Sequence, residues 1–364
     1  MPVRDAMIVA GGGGTRLWPL TAGRPKPLVG FCDAPFLEGV LHRLANIGID
    51  RVLLVVGADP SPFEVLRPAA RAMGIDLQAV PEPEPLDTAG GVRAALDLVR
   101  GTFLVLNGDI LTDVDLGEVV AAHERAGADA SLVLTRVEDT SSYGVCVLDG
   151  ERIVDFVEKP APGTLPGQDA INAGTYVLEP AALARFGTGR LSFEREVFPN
   201  LVAEGAHVAG VVSDAAWADL GTPERYLDGH RAALDGSVAW PSLDALPADA
   251  AGVRIAPDAH VDASARLVGP LMLAAGTSIG PGAQVGPYVV LGAGASVGAD
   301  AQLEHSVLGR RTVVGEGCRL SATITGEGAN IGARVVAQGA VLADDVAVQE
   351  GVTLPDDARV GPDS

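Results

Sequence analysis

From Val261 to Leu303 an aliphatic residue returns at every sixth position: Val261, Leu267, Leu273, Ile279, Val285, Leu291, Val297 and Leu303. From Ile279 to Val297 each of them is followed by glycine. A period of six fits neither the 3.6-residue turn of an α-helix nor the two-residue alternation of a strand. It fits a parallel β-helix, in which three hexapeptides close one triangular coil and each side stacks one aliphatic residue inward. The phase slips after Leu303, and aliphatic–Gly pairs return at Leu308-Gly309, Val314-Gly315 and Ile331-Gly332. Roughly five coils fit the span 257–364. A segment of this kind stacks and propagates.

The first 235 residues follow a different grammar. Arg51–Gly57, Thr102–Asn107 and Ala130–Thr135 are short, continuous and rich in β-branched residues, as buried parallel strands are. Between strands, Pro35–Ile47, Thr88–Arg100 and Asp115–Ala126 carry helical spacing. Alternation of this sort predicts an α/β fold, a doubly wound and mostly parallel Rossmann-like sheet with its ligand at the strands' carboxyl ends. Residues 236–256 are rich in Pro, Asp and Ala and read as a linker. The expected organisation is therefore 1–235 catalytic, 236–256 linker and 257–364 β-helix.

Composition narrows the partners. The formal charge of −21 argues against nucleic acid and against an anionic membrane surface. Any anion site must concentrate its few cations locally. The three cysteines, Cys32, Cys146 and Cys318, have no metal or disulfide spacing and read as reduced thiols. No targeting segment and no apolar run of membrane-spanning length is visible, so a cytoplasmic protein is expected.

Such a local concentration exists at residues 10–27. An apolar strand, Ala6 to Ala10, runs into Gly11-Gly12-Gly13-Gly14-Thr15-Arg16, and Lys26 follows between Pro25 and Pro27. Side-chain-free residues at a strand's carboxyl end let backbone N–H groups approach a phosphate, and Arg16 and Lys26 add fixed charge. The segment is not a Walker loop, which needs Gly-Lys-Ser/Thr, and G-x-G-x-x-G fails because Arg16 or Leu17 stands at its last glycine. Ala10, Gly11, Gly12, Gly14, Thr15, Arg16 and Lys26 are the expected triphosphate contacts.

Here the chain resembles the sugar-nucleotide pyrophosphorylases, or nucleoside-diphosphate-sugar nucleotidyltransferases, whose signature is G-x-G-T-R-L-x-P-L-T closed by P-K-P. It matches through Gly12, Gly14–Leu17, Pro19–Thr21 and Pro25–Pro27. The repeat region likewise resembles the left-handed hexapeptide-repeat family. The implied reaction is attack of a sugar 1-phosphate on the α-phosphate of a nucleoside triphosphate, expelling pyrophosphate. A phosphomonoester is already ionised near neutral pH, so no general base is required. The resemblance implies Arg16 on the departing pyrophosphate and Lys26 nearer the reacting phosphates. It implies Mg²⁺ held by Asp109, after Gly108, and by Asp219, within Trp217-Ala218-Asp219-Leu220-Gly221-Thr222-Pro223. Two carboxylates suit a hard ion that keeps several waters. Glu158-Lys159-Pro160 and Asn172-Ala173-Gly174 resemble the family's sugar-phosphate motifs, with Lys159 on the phosphate and Glu158 and Asn172 on sugar hydroxyls. Gly144 resembles a glycine that lets backbone meet the sugar.

The base pocket falls on Glu82–Gly91, with Glu82, Pro85, Thr88 and Gly90 as expected contacts and Asp87 where many relatives carry glycine. A carboxylate only accepts, which suits the N1–H and 2-amino donors of guanine and opposes the carbonyls of uracil and thymine. The resemblance is nearest to bacterial mannose-1-phosphate guanylyltransferases with a β-helix tail. GTP and mannose 1-phosphate are the expected substrates. The open alternatives are a glucose-1-phosphate uridylyl- or thymidylyltransferase, a GDP-pseudo-sugar synthase, and a catalytically inactive sugar-nucleotide sensor or regulatory subunit. The β-helix reads as a structural, homo-oligomer-forming part whose removal near residue 240 would alter assembly more than chemistry.

Overall fold

The computed structural model describes residues 2–362, and contacts divide the chain into two compact units. One contains the chain up to Gly12 together with Val40–Trp217. The other contains Gly13–Gly39 together with the chain from Ala218 onward. The segment Gly13–Gly39, amino-terminal in sequence, thus belongs with the β-helix.

The β-branched runs of the first unit become a nine-stranded sheet. Its strands are β1 Asp5–Val9, β2 Arg51–Val56, β3 Asp76–Pro81, β4 Phe103–Asn107, β5 Ala130–Arg136, β6 Gly144–Asp149, β7 Arg152–Glu158, β8 Ala170–Leu178 and β9 Val208–Val212. Their order is β3-β2-β1-β4-β8-β5-β9-β7-β6. The first four are parallel, the doubly wound half that sequence predicted. Beyond them the sheet is mixed, because β8 runs antiparallel to both β4 and β5. Register places Met7 between Leu53 and Val105, all three fully buried. Each such side chain contributes about 1.5–3 kcal/mol by leaving water. The helix Leu116–Ala126 starts where the Asp115 carboxylate accepts the Glu118 N–H at 3.0 Å and ends at Gly127 in the left-handed region. The helix expected over 88–100 is shorter: it spans Asp87–Ala94 and tightens into a 3-10 turn at Leu96–Leu98. Gly90 and Gly91 in its middle are poor helix formers.

In the second unit the six-residue spacing forms the parallel β-helix. Its three sheets hold seven, six and five strands, all parallel. Leu273, Leu291 and Leu308 stack inside, none more than 1% exposed. The slip after Leu303 has a plain cause. Ser278 lies beside Ser296 eighteen residues on, whereas Ser296 lies beside Val313 and Val313 beside Asn330 at seventeen. One corner has lost a residue, so the inner positions run six, six and five apart. Glycine follows the inner aliphatic residue for a steric reason: a Cβ on Gly298 would stand 2.7 Å from the Glu316 nitrogen of the next coil. The second unit also contains the hairpin Gly30–Phe31 with Ala34–Pro35 and the helix Pro223–Asp235. Phe31, Tyr226, His230 and Trp240 pack as one aromatic cluster.

Candidate active site

In the second unit the glycine loop ends in a tight turn. Gly14 has φ +58°, and a Cβ there would come within 2.9 Å of Lys26 Cβ, so only glycine fits against the lysine. Its carbonyl accepts the Thr21 hydroxyl at 3.0 Å, which closes the loop on itself. Thr15–Leu17 and Lys26–Leu28 are single 3-10 turns, the second with Pro25 and Pro27 flanking the lysine. Asp219 gathers the charge. Lys26 Nζ lies 3.4 Å from its Oδ1, and Arg225 Nη1 and Arg16 Nη2 lie 3.0 and 3.6 Å from its Oδ2. The Lys26 side chain is only 10% exposed, while that of Arg16 is 63% exposed. Three cations on one carboxylate leave an excess of positive charge there, chemically suited to phosphate oxygens. Gly221 lets it assemble, since a Cβ there would stand 2.7 Å from Arg16 Nη2.

In the first unit β1 ends in a turn anchored by the Ala10 N–H, which donates to the Val55 carbonyl at 2.8 Å. Ala10 is buried, and Gly11 and Gly12 are exposed. Glu82 leaves β3 with its N–H on the Val56 carbonyl and its side chain folded inward, 8% exposed. A Cβ on Gly91 would stand 2.1 Å from Glu82 Oε1, and one on Gly11 would stand 3.2 Å from Oε2. Oε1 is buried without a hydrogen-bond partner. Burial pushes this carboxyl above the usual glutamate range, with the amides of Leu86 and Gly91 pulling the other way. Asp87 adopts φ +68°, in the left-handed region that favours glycine; ion pairs with Arg195 and with Arg190 (3.4 Å) hold it. Of the other expected base contacts, Pro85 is exposed on the loop. Thr88 and Gly90 hold the loop together. The Thr88 hydroxyl donates to Glu194 at 2.7 Å and accepts the Phe193 N–H at 3.0 Å. Gly90 lies where a Cβ would stand 2.4 Å from the Gly189 carbonyl.

Register assembles the sugar-phosphate residues expected on sequence grounds. Glu158 at the end of β7 pairs with Gly144 at the start of β6, and Val145 pairs with Ile171, the neighbour of Asn172. A Cβ on Gly144 would reach 3.0 Å from Glu158 Oε2. That oxygen too is buried without a partner, while Oε1 lies 3.4 Å from Lys159 Nζ. Burial raises the Glu158 carboxyl above its usual range, Lys159 opposing and Glu194 reinforcing the rise. Lys159 adopts φ +46°, its N–H donates to the Tyr143 carbonyl at 3.0 Å, and its side chain is 64% exposed. Asn172 donates to the buried Tyr176 hydroxyl at 2.9 Å and accepts the Gly174 N–H at 3.0 Å.

Asp109 follows β4 and is half-buried; it belongs to the first unit and Asp219 to the second. Among the described residues no group of three or more His, Cys, Asp or Glu side chains forms a metal cage. The Asp219 oxygens are hard donors, and a carboxylate has about four lone-pair directions, more than its three cations occupy. The donor set therefore fits a hard divalent cation that keeps most of its waters. Sequence reading did not single out Arg225, Glu194 or Tyr176. Arg225 lies six residues after Asp219 in a recognisable motif, a usable signal; Glu194 reaches Thr88 across 106 residues, which no local pattern reveals.

Comparison with known proteins agrees over most of the chain. The family profile described as nucleotidyl transferase matches residues 5–236, and one described as the GMPPB C-terminal domain matches residues 267–362. Members of the first family generally depend on a divalent metal. The chain is 38% identical to a mannose-1-phosphate guanylyltransferase of Mycobacterium tuberculosis over 78% of this chain and 77% of that one. It is 33% identical to mannose-1-phosphate guanylyltransferase 1 of Arabidopsis thaliana over 78% and 75% of the two chains. Among solved structures, HddC from Yersinia pseudotuberculosis is similar with a TM-score of 0.54 and 26% identity, over 62% of this chain and 98% of that one. Among the described residues no helix is long and apolar enough to cross a membrane.

Proposed function

The chain belongs to the nucleotidyl transferase family, and from that premise we propose that it joins GTP to mannose 1-phosphate, giving GDP-mannose and pyrophosphate. An oxygen of the sugar phosphate attacks the α-phosphorus. The bond from that phosphorus to the bridging oxygen of the β-phosphate breaks, and pyrophosphate leaves with the electron pair. The nucleophile arrives ionised, so the protein's task is alignment and neutralisation of charge. The observation that supports this reading most is the cluster of Lys26, Arg16 and Arg225 on Asp219.

Each residue then has a task. The backbone of Ala10–Gly12, Gly14 and Thr15 meets the phosphates, Lys26 neutralises charge at the reacting phosphate, and Arg16 neutralises the leaving group. Glu82 accepts from guanine's paired donors, on a loop that Thr88, Gly90 and Pro85 shape. Lys159 holds the sugar phosphate, Glu158 and Asn172 accept from or donate to the sugar's hydroxyls, and Gly144 leaves room for it. Mg²⁺, with Asp109 and Asp219 as the carboxylates that would hold it, supplies further neutralisation of phosphate charge when bound. The reaction takes place in the cytoplasm, on a homo-oligomer formed through the β-helix.

The test offers purified protein and Mg²⁺ each of GTP, UTP and dTTP against mannose 1-phosphate and glucose 1-phosphate, and measures pyrophosphate release. GTP with mannose 1-phosphate is expected to dominate. Turnover with UTP or dTTP but not GTP refutes the assignment of the base, and no turnover with any pair refutes the reaction. Light scattering after size exclusion checks the oligomer, and a monomeric chain refutes that part.

A further inference from the structure

Arg24 stands two residues before Lys26 and is exposed by 23%. Its guanidinium spans two carboxylates of the β-helix. Nη1 donates to Glu327 Oε1 at 2.9 Å, and Nη2 and Nε donate to Asp344 Oδ2 at 2.5 and 3.2 Å. Those carboxylates are themselves fixed. Asp344 Oδ1 accepts the Glu327 N–H at 2.8 Å, and Glu327 Oε2 accepts from Arg311 at 3.1 Å. Burial alone would lower the Arg24 pKa, but Glu327 and Asp344 outweigh it and raise it.

A second fastening lies nine residues on. Asp33 Oδ1 accepts the Ala293 N–H at 2.8 Å and Arg310 Nε at 3.1 Å. Residues 293, 310, 327 and 344 are spaced by seventeen, the length of these coils. They occupy the same corner of successive coils, for the N–H groups of Arg311, Gly328 and Asp345 donate in turn to the carbonyls of Ala293, Arg310 and Glu327. The segment from Arg24 to Asp33 is therefore fastened at both ends to one corner of the β-helix. Between the first fastening and Lys26 lies only Pro25, whose ring fixes its backbone torsion, and Lys26–Leu28 is a closed turn.

We propose that Arg24 is a positioning residue for the reaction, through which Glu327 and Asp344 of the β-helix set the place of Lys26. The repeat region thereby acts on the chemistry, beyond the part in assembly that its sequence suggests. The proposal rests on the reading of Lys26 as a phosphate-neutralising residue. A bidentate guanidinium across two anchored carboxylates fixes both distance and direction, as a single ammonium does not. Small displacements of a charge aligned on a reacting phosphate carry large rate costs.

The test compares Arg24→Gln, Arg24→Lys, the double variant Glu327→Gln with Asp344→Asn, and all three neutral changes together, in the full-length chain. Measured are kcat, KM for GTP and for mannose 1-phosphate, GTP binding by calorimetry, and the thermal midpoint. Arg24→Gln and the β-helix double variant are each expected to lower kcat roughly tenfold and to weaken GTP binding. KM for the sugar phosphate stays unchanged, and Arg24→Lys recovers part of the loss. The triple change costs no more than either alone, because one interaction is lost in every case. If Arg24→Gln does not fold, Asp344→Asn and Arg24→Lys carry the comparison. Wild-type kcat in the β-helix variants, or losses that add in full, overturns the proposal while leaving the reaction intact. A wild-type chain that releases no pyrophosphate overturns the reading on which it rests.

Discussion

Asp219 in the second unit and the glutamates Glu82 and Glu158 in the first are in opposite condition. In the second unit Asp219 is clasped by Lys26, Arg225 and Arg16, and both of its oxygens are engaged. In the first, Glu82 and Glu158 each keep one buried oxygen with no hydrogen-bond partner, and burial raises the pKa of both. Leaving an acceptor buried and unmet costs about 1–3 kcal/mol, and such groups in a native fold call for an explanation. The difference teaches a division of labour. The second unit offers donors and positive charge, suited to phosphates. In the first, Glu82 and Glu158 offer acceptors, suited to the N–H groups of a base and the hydroxyls of a sugar, and Lys159 beside Glu158 adds a positive charge. In a chain carrying −21 overall, three cations gather on this one carboxylate.

The sharpest way to break that contrast is at Lys26. Lys26→Ala removes a charge that is worth most on the reacting phosphate, so kcat is expected to fall about 10²–10³-fold, the range for loss of one preorganised electrostatic contact. Steady-state kinetics at saturating GTP measure it. A fall of less than tenfold would make Lys26 only a structural partner of Asp219, and the second unit would lose its donor role. Glu82 probes the other side. A bidentate contact to a base is worth about 1–3 kcal/mol of discrimination, so Glu82→Gln is expected to lower kcat/KM for GTP about thirtyfold while that for UTP falls less. Equal losses for the two nucleotides would mean that the unmet oxygen belongs to the loop and does not read the base.

What sequence revealed and concealed follows the range of the interactions. The β-helix was legible because each coil repeats one steric demand, an inner aliphatic residue and then a glycine beneath the next backbone. The loop from Gly11 to Lys26 was legible because its parts lie within one short stretch. Asp219 was legible from its motif, but not its three cations, since Lys26 lies 193 residues away. Arg24 carries no sequence signal of its own, and only folding brings it to carboxylates 303 and 320 residues distant. Thr88 shows the same limit. Its place in the segment 82–91 suggested a base contact, and its bonds to Glu194 and Phe193, more than a hundred residues away, could not be read there. Likewise the parallel half of the sheet could be read from β-branched runs, while the reversal at β8 depends on pairing that no single strand encodes.

A smaller effect separates the two unmet glutamates. Glu158→Gln keeps the shape and removes the charge beside Lys159, so KM for the sugar phosphate is expected to rise roughly tenfold with KM for GTP unchanged. Initial rates at varied concentrations of each substrate decide it. A rise in both constants would show that Glu158 supports the β6–β7 hairpin as a whole, and the assignment of separate acceptor tasks would fail.

Protonation gives the smallest test, and it contrasts His230 with Glu82 and Glu158 by sign. His230 is buried, donates through Nδ1 to the Tyr226 carbonyl at 2.9 Å and accepts the Cys32 N–H through Nε2 at 3.2 Å. Protonating Nε2 would destroy that acceptor, and burial lowers the pKa from 6.5 to about 4. Because the unfolded chain takes up this proton first, His230's contribution is complete above pH 6.5 and declines as pH falls toward 4. At pH 5.5 the loss is about 1 kcal/mol. Glu82 and Glu158 act oppositely, since the folded state binds their protons more tightly, so their own contribution to stability grows as pH falls through their raised pKa values. Hydrogen exchange resolved by segment is expected to show protection falling around Tyr226–Arg231 and rising around Glu82 as pH is lowered from 7 to 4.5, after correction for intrinsic exchange. His230→Gln, whose amide oxygen still accepts from Cys32, should flatten the first change and leave the second. Parallel loss of protection in both segments would mean that a shared group titrates, and the opposition between His230 and the two glutamates would not hold.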